Sequence, residues 1–143
     1  MRQEGDSFFV SVQLVREIKP YSFALNALKQ LHNAGHSIHI ASSRKENLHK
    51  VTEDWLHEHG FADYIHHIHP RYSEHKGKEF KVKTVIENNI TIAFDDTWDV
   101  AEALAEADVR VYLIHKPWNK DEQLPKNIIR VDNFAEGVKM FLN

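Results

Sequence analysis

The sequence predicts a three-layer α/β sandwich on a mostly parallel central sheet. Short apolar runs alternate with segments of helical periodicity about 10–14 residues long, which is the pattern of βαβ units. The runs HSIHIA, ITIAF and VRVYLI suit strands covered on both faces. No internal repeat, low-complexity tract or linker interrupts the 143 residues, so residues 1–143 read as one domain without a sizeable cap.

The elements follow in order. Phe8 to Val15 (FFVSVQLV) is a continuous apolar run and reads as a buried strand. Pro20 biases Lys19 away from helix, and Tyr21 to Asn33 then reads as a helix, with Phe23, Ala24, Ala27, Leu28 and Leu31 at helical spacing. Gly35 is placed to end it. His36 to Ala41 reads as a strand, with Ser42 or Ser43 placed as the cap of a helix from Glu46 to His59. Leu48, Val51, Trp55 and Leu56 form that helix's expected buried side, and Gly60 its end. Tyr64 to Ile68 reads as a short strand, Pro70 to Lys78 as a polar loop and Phe80 to Asn88 as a helix. Ile90 to Phe94 is a strand ending in Asp95-Asp96. A helix over Asp99 to Ala107, a strand over Val109 to Ile114 and a loop with two prolines follow. A short strand over Ile128 to Val131 precedes a closing helix, capped by Asn133 and running to Leu142.

Composition narrows the function classes. With no Cys, disulfides, thiolate metal sites and a Cys nucleophile are excluded. A formal charge of -3 argues against a nucleic-acid partner or a polybasic membrane surface. No apolar run approaches the roughly 20 residues that span a bilayer. The start MRQEGDSFF has neither the basic nor the apolar region of a signal peptide, so the expected location is the cytoplasm.

In open parallel sheets ligands sit beyond the carboxyl ends of the strands. Ser42, Ser43 and Arg44 follow HSIHIA there, and Asp95, Asp96 and Asp99 follow ITIAF. Lys81 lies near the start of the intervening helix. Carboxylates offer hard oxygens to Mg²⁺, while hydroxyls, cations and helix N-termini offer donors to phosphate. Each residue also has a plainer reading. Ser42 is a good helix cap, Arg44 an ordinary surface residue, and Asp95 or Asp96 a cap for the next helix. Lys81, with Lys76, Lys78 and Lys83, is compatible with a solvated basic face.

The order of these segments resembles the haloacid dehalogenase-like (HAD) phosphatases, most of all the 5'(3')-deoxyribonucleotidase type. The resemblance is carried by IKPYSFALNALKQL, by IHIASSR with Ser42 at the strand end, by Lys81, by IAFDDTWD and by KPWN (Lys116 to Asn119). It covers roughly Glu17 to Asn119. It implies Mg²⁺-dependent hydrolysis of a phosphomonoester. Ser42 and Lys81 would hold the phosphoryl oxygens, Ser43 and Arg44 would assist, and Asp95 would bind Mg²⁺, aided by Asp96 or Asp99.

One departure is large. The family's nucleophile and general acid form a D-x-D at the end of the first core strand. No D-x-D occurs in this sequence. If FFVSVQLV is that strand, the two positions fall on Ser11 and Gln13. If FFVSVQLVREIKPY instead follows the family's cap, the first strand and its D-x-D were lost upstream, and strand exchange with a second copy becomes an option. The expected object is a HAD-like relative that binds a small phosphorylated molecule with impaired turnover and weak Mg²⁺ binding, and a homodimer is compatible with it. An active phosphatase with a nucleophile from elsewhere, and a non-enzymatic interaction module, are the alternatives.

Among the 11 histidines, His67 and His69 share a strand face, but no HExxH or fixed carboxylate spacing accompanies them. Exposed, unliganded imidazoles are the expectation, with net charge rising as pH falls toward about 6. Trp55 reads as core, Trp98 as packing beside the acidic pair, and Trp118 as a partly buried loop anchor.

Overall fold

The computed structural model describes residues 5–41, 49–69, 77–120 and 122–143. The described elements are β1 (Ser7–Ser11), α1 (Val12–Arg16), α2 (Tyr21–Asn33), β2 (Ser37–Ala41) and α3 (His49–Glu58), then a 3₁₀ turn (Ala62–Tyr64), β3 (His67–His69) and α4 (Gly77–Glu87). After these come β4 (Ile92–Asp95), α5 (Trp98–Glu106), β5 (Arg110–Ile114), β6 (Ile128–Val131) and α6 (Phe134–Leu142). The strands form one six-stranded sheet in the order β3-β2-β1-β4-β5-β6, and every neighbouring pair is parallel. The predicted α/β sandwich is therefore the observed fold.

Strand parity sets the layers, because successive side chains point to opposite faces. Phe8 and Val10, Ile38 and Ile40, and Ile92 and Phe94 pack with α1, α2, α3 and α6. Phe9, Ala41, Ala93, Val111 and Leu113 face the other way and pack with α4 and α5. Parallel register then aligns the carboxyl ends. Ser11 pairs with Ala41, Ala41 with His69 and Asp95 with Leu113, while Val10 and Phe94 pair one residue earlier. Ser11 and Asp95 thus end adjacent strands on the α4 side.

Some boundaries differ from expectation. β1 stops at Ser11, and Val12 to Arg16 turn into α1, so Gln13 is an exposed helical residue rather than a strand position. An unbroken apolar run carries no period to tell strand from helix. The Tyr64 to Ile68 segment is a 3₁₀ turn followed by β3 at His67–His69. Phe23 and Val51 are exposed; α2 turns Ala24, Ala27, Leu28 and Leu31 inward, and α3 turns Thr52 and Leu56. Leu48, the expected helix start at Glu46 and residues 70–76 of the expected Pro70–Lys78 loop lie outside the described residues, while Gly77 and Lys78 already open α4.

Other boundaries agree. α2 spans the predicted residues, and Gly35 ends it at φ 90°, a left-handed backbone that glycine takes without strain. Asn133 caps α6, its side chain accepting from the Glu136 amide at 2.9 Å. No described helix is long and apolar enough to cross a membrane.

α6 sits tightly against the sheet. A Cβ added at Gly137 would lie 2.5 Å from Cε1 of Phe94, a fully buried ring. We expect Gly137→Ala to cost about 1–3 kcal/mol through overpacking and to lower the melting temperature. A melt superimposable on wild type would contradict this packing.

Candidate functional site

The rim is built around Asp95, the last residue of β4, which is 1% exposed. Lys81, in the second turn of α4, donates from Nζ to Asp95 Oδ2 at 2.8 Å. The Thr97 amide donates to Asp95 Oδ1 at 2.9 Å, which closes a local turn. Both carboxylate oxygens therefore have partners, as a buried charge requires.

Asp96 is also buried, and its Oδ1 accepts from the Thr97 hydroxyl at 3.3 Å. Its carbonyl turns toward the loop after β5. There it accepts from Trp118 Nε1 at 2.7 Å and Asn119 Nδ2 at 2.9 Å. Asn119 is fully engaged. Its Nδ2 also donates to the Ile114 carbonyl, and its Oδ1 accepts from the Lys116 amide and from Arg130 Nη1 at 2.7 Å. Arg130 Nη2 adds a bond to the Asn119 carbonyl. This clasp ties the KPWN loop to β4, β5 and β6. KPWN is legible in the sequence, but Arg130 gave no signal there, because its role rests on a contact formed only in three dimensions.

Ser11 ends β1, between β2 and β4 in the sheet. It is 7% exposed, and its Oγ has no hydrogen-bond partner among the described residues. It precedes α1 as the N-cap but makes no side-chain cap bond. A buried hydroxyl without an acceptor forfeits a hydrogen bond that water would have supplied.

The structure thus brings Lys81, Asp95 and Asp96 to one rim beside Ser11. Asp99 is exposed in the first turn of α5. Ser42, Ser43 and Arg44 lie outside the described residues. Trp98 packs against the α4–α5 side of the core, and Trp55 packs half-buried against the other. Trp118 is 64% exposed, held by its N–H rather than by burial as a partly buried anchor would be.

Mg²⁺ needs a near-octahedral shell of oxygens. Asp95 already accepts from Lys81 and Thr97, and Asp99 is an exposed residue of the first turn of α5. Among the described residues no three His, Asp or Glu side chains form a group able to hold a metal ion.

The histidines collect at the β2–β3 edge. His39 Nδ1 lies 2.8 Å from His69 Nε2, and the His39 and His67 rings stack at 4.7 Å. Burial first, then the neighbouring imidazoles of His69, His67 and His66, push His39 down to about 4. Burial, then His67, also lowers His69.

Fold and rim together define an α/β protein with a polar site at the carboxyl ends of its parallel strands. Comparison with known proteins finds relatives by sequence and by fold. The chain is 32% identical over 111 residues, 76% of its length and 52% of the relative's, to "Putative nucleotidase YqfW" of Bacillus subtilis. It has the fold of an uncharacterized Listeria monocytogenes protein of known structure, with a TM-score of 0.68, 16% identity and coverage of 96% of this chain and 97% of that one. It also shares the fold of a HAD-superfamily hydrolase from Ehrlichia chaffeensis, with a TM-score of 0.54, 14% identity and coverage of 84% and 58%. No protein-family profile matches the chain. The chain spans about half the length of the curated relatives it matches.

Two outcomes follow. Lys81→Met strands a buried carboxylate, and breaking a buried pair costs about 3–5 kcal/mol. The Lys81 side chain is 17% exposed and Thr97 still donates, so the loss should fall at the lower end. Adding Asp95→Asn should recover part of it in denaturant titrations; a double variant no more stable than Lys81→Met would contradict the stranded-charge account. The second outcome concerns pH. His39 is depressed in the fold, so its contribution is complete above about pH 6.5 and is lost as pH falls toward about 4. Melting temperature should therefore drop across that window, and less steeply in His39→Gln; equal slopes would remove His39 as the cause.

Proposed function

We propose that this chain is a HAD-like relative of nucleotidases that binds a phosphomonoester at the carboxyl rim and turns it over poorly or not at all. The observation that carries the proposal is the juxtaposition of the buried Lys81–Asp95 pair with the unpartnered Ser11 hydroxyl at the ends of adjacent strands. A phosphate oxygen would give Ser11 Oγ its acceptor. Lys81 would supply positive charge, and Ser42, Ser43 and Arg44 further donors from the end of β2. The nucleotidase named among the relatives supports the phosphomonoester class.

Poor turnover follows from the chemistry of Ser11. A serine attacks phosphorus only when a base within about 2.6–3.2 Å takes its proton. Among the described residues Ser11 Oγ has no such neighbour, and Lys81 is held by Asp95. Gln13 has no acid–base function and is an exposed residue of α1. A second reading, an active Mg²⁺-dependent phosphatase with a nucleophile from elsewhere, draws on the greater length of the relatives.

The test is turnover of a panel of phosphomonoesters, including deoxynucleoside monophosphates, with and without Mg²⁺. Lys81→Ala and Asp95→Asn run beside the wild type, together with calorimetric titration of inorganic phosphate. We expect no turnover above the two variants, and phosphate binding weakened at least tenfold in Lys81→Ala. That is the scale of one charge-assisted hydrogen bond. Mg²⁺-dependent turnover lost in both variants would establish the second reading instead.

A further inference from the structure

Trp118 is a large apolar ring left in water beside the rim. Its exposure does not come from a loose loop. The indole N–H is fixed to the Asp96 carbonyl at 2.7 Å, and the next residue, Asn119, is 1% exposed and bonded through both amide atoms. Arg130 grips Asn119 from β6. Lys116 stands 5.9 Å from the ring centroid and is itself held by Glu17 at 3.1 Å. The ring is therefore rigid, its one polar atom is spent on anchoring, and its apolar surface stays open. Rigid, exposed aromatic rings of this kind bind flat partners at low entropic cost.

The anchoring point fixes the ring's position. Asp96 directly follows Asp95, whose carboxylate meets Lys81, and consecutive Cα atoms lie about 3.8 Å apart. A molecule with its phosphate at Lys81 and Ser11 and a planar group at its other end would bring that group to the indole. From this geometry we infer that Trp118 is a stacking platform for the nucleobase of a nucleoside monophosphate, so that the base as well as the phosphate is recognised. The inference rests on the phosphate-binding reading above. Stacking has no hydrogen-bond readout, so the platform should favour the presence of a base over its identity, purines most through their larger face.

The experiment compares two ligands in one protein: deoxyadenosine 5'-monophosphate and 2-deoxyribose 5-phosphate, titrated by calorimetry into wild type, Trp118→Ala, Trp118→Phe and Lys81→Ala. The ratio of the two affinities within each variant cancels any general loss of stability. We expect the nucleotide to bind wild type about tenfold more tightly than the base-free sugar phosphate, the scale of one base–aromatic stack. The ratio should fall to near one in Trp118→Ala and stay well above one in Trp118→Phe, which keeps a ring without the N–H. A ratio in Trp118→Ala equal to wild type overturns the platform while leaving phosphate binding intact. If neither ligand binds wild type, the phosphate-binding reading fails and the platform with it.

Discussion

A carboxylate 1% exposed at the end of a central strand exists only because the chain brings it a cation. Lys81 does so from α4, 14 residues earlier, and the rest of the rim is arranged around that contact. The pair holds α4 over the end of β4. The Thr97 amide closes on the same carboxylate and sets the turn that presents the Asp96 carbonyl to the next loop. Trp118 and Asn119 both bind that carbonyl, and Arg130 reaches Asn119 from β6. One ion pair thus begins a connected set of bonds that crosses three strands.

The two sides of β4 differ in how far their polar groups are satisfied. Toward β5 and β6, the amide of Asn119 and the carbonyl of Asp96 have protein partners. Toward β1, Ser11 Oγ has none among the described residues. Both sides obey the same strand parity and end on the same level, so the contrast comes from side-chain chemistry rather than from the backbone. On the reading proposed above, this donor without an acceptor among the described residues marks the side on which an anion would be received. The anchored indole lies on the satisfied side, at the opposite end of any molecule spanning the two.

Much of this was legible in the chain, for identifiable reasons. Pro20, Gly35 and Asn133 punctuate the backbone through fixed φ, left-handed φ and side-chain capping, and the elements they bound fell where expected. Asp95 stood out because a charged residue closed a continuous apolar strand. FFVSVQLV misled because Val12, Leu14 and Val15 are buried in helical α1 as completely as Phe8 to Val10 are in β1. Phe23 and Val51 misled because apolar side chains are not confined to the interior. The Asn119–Arg130 clasp was invisible, since nothing in a linear sequence marks an arginine on one strand as the partner of an asparagine 11 residues before it.

The histidines show how the same fold constrains charge. His39 and His69 lie on the face that carries Ser11 and Asp95, but at the β2–β3 edge, where a 2.8 Å contact between ring nitrogens needs one donor and one acceptor. Two imidazolium rings cannot make that bond. The pair therefore resists the positive charge that 11 histidines would otherwise bring as pH falls, and the rise in net charge is delayed at this edge. At the rim itself Lys81 is matched by Asp95, and its ammonium keeps N–H donors beyond the one that Asp95 takes. On the reading proposed above, an anion would be recognised by such charge-assisted, aimed donors and its planar group by the apolar ring, which read geometry rather than total charge.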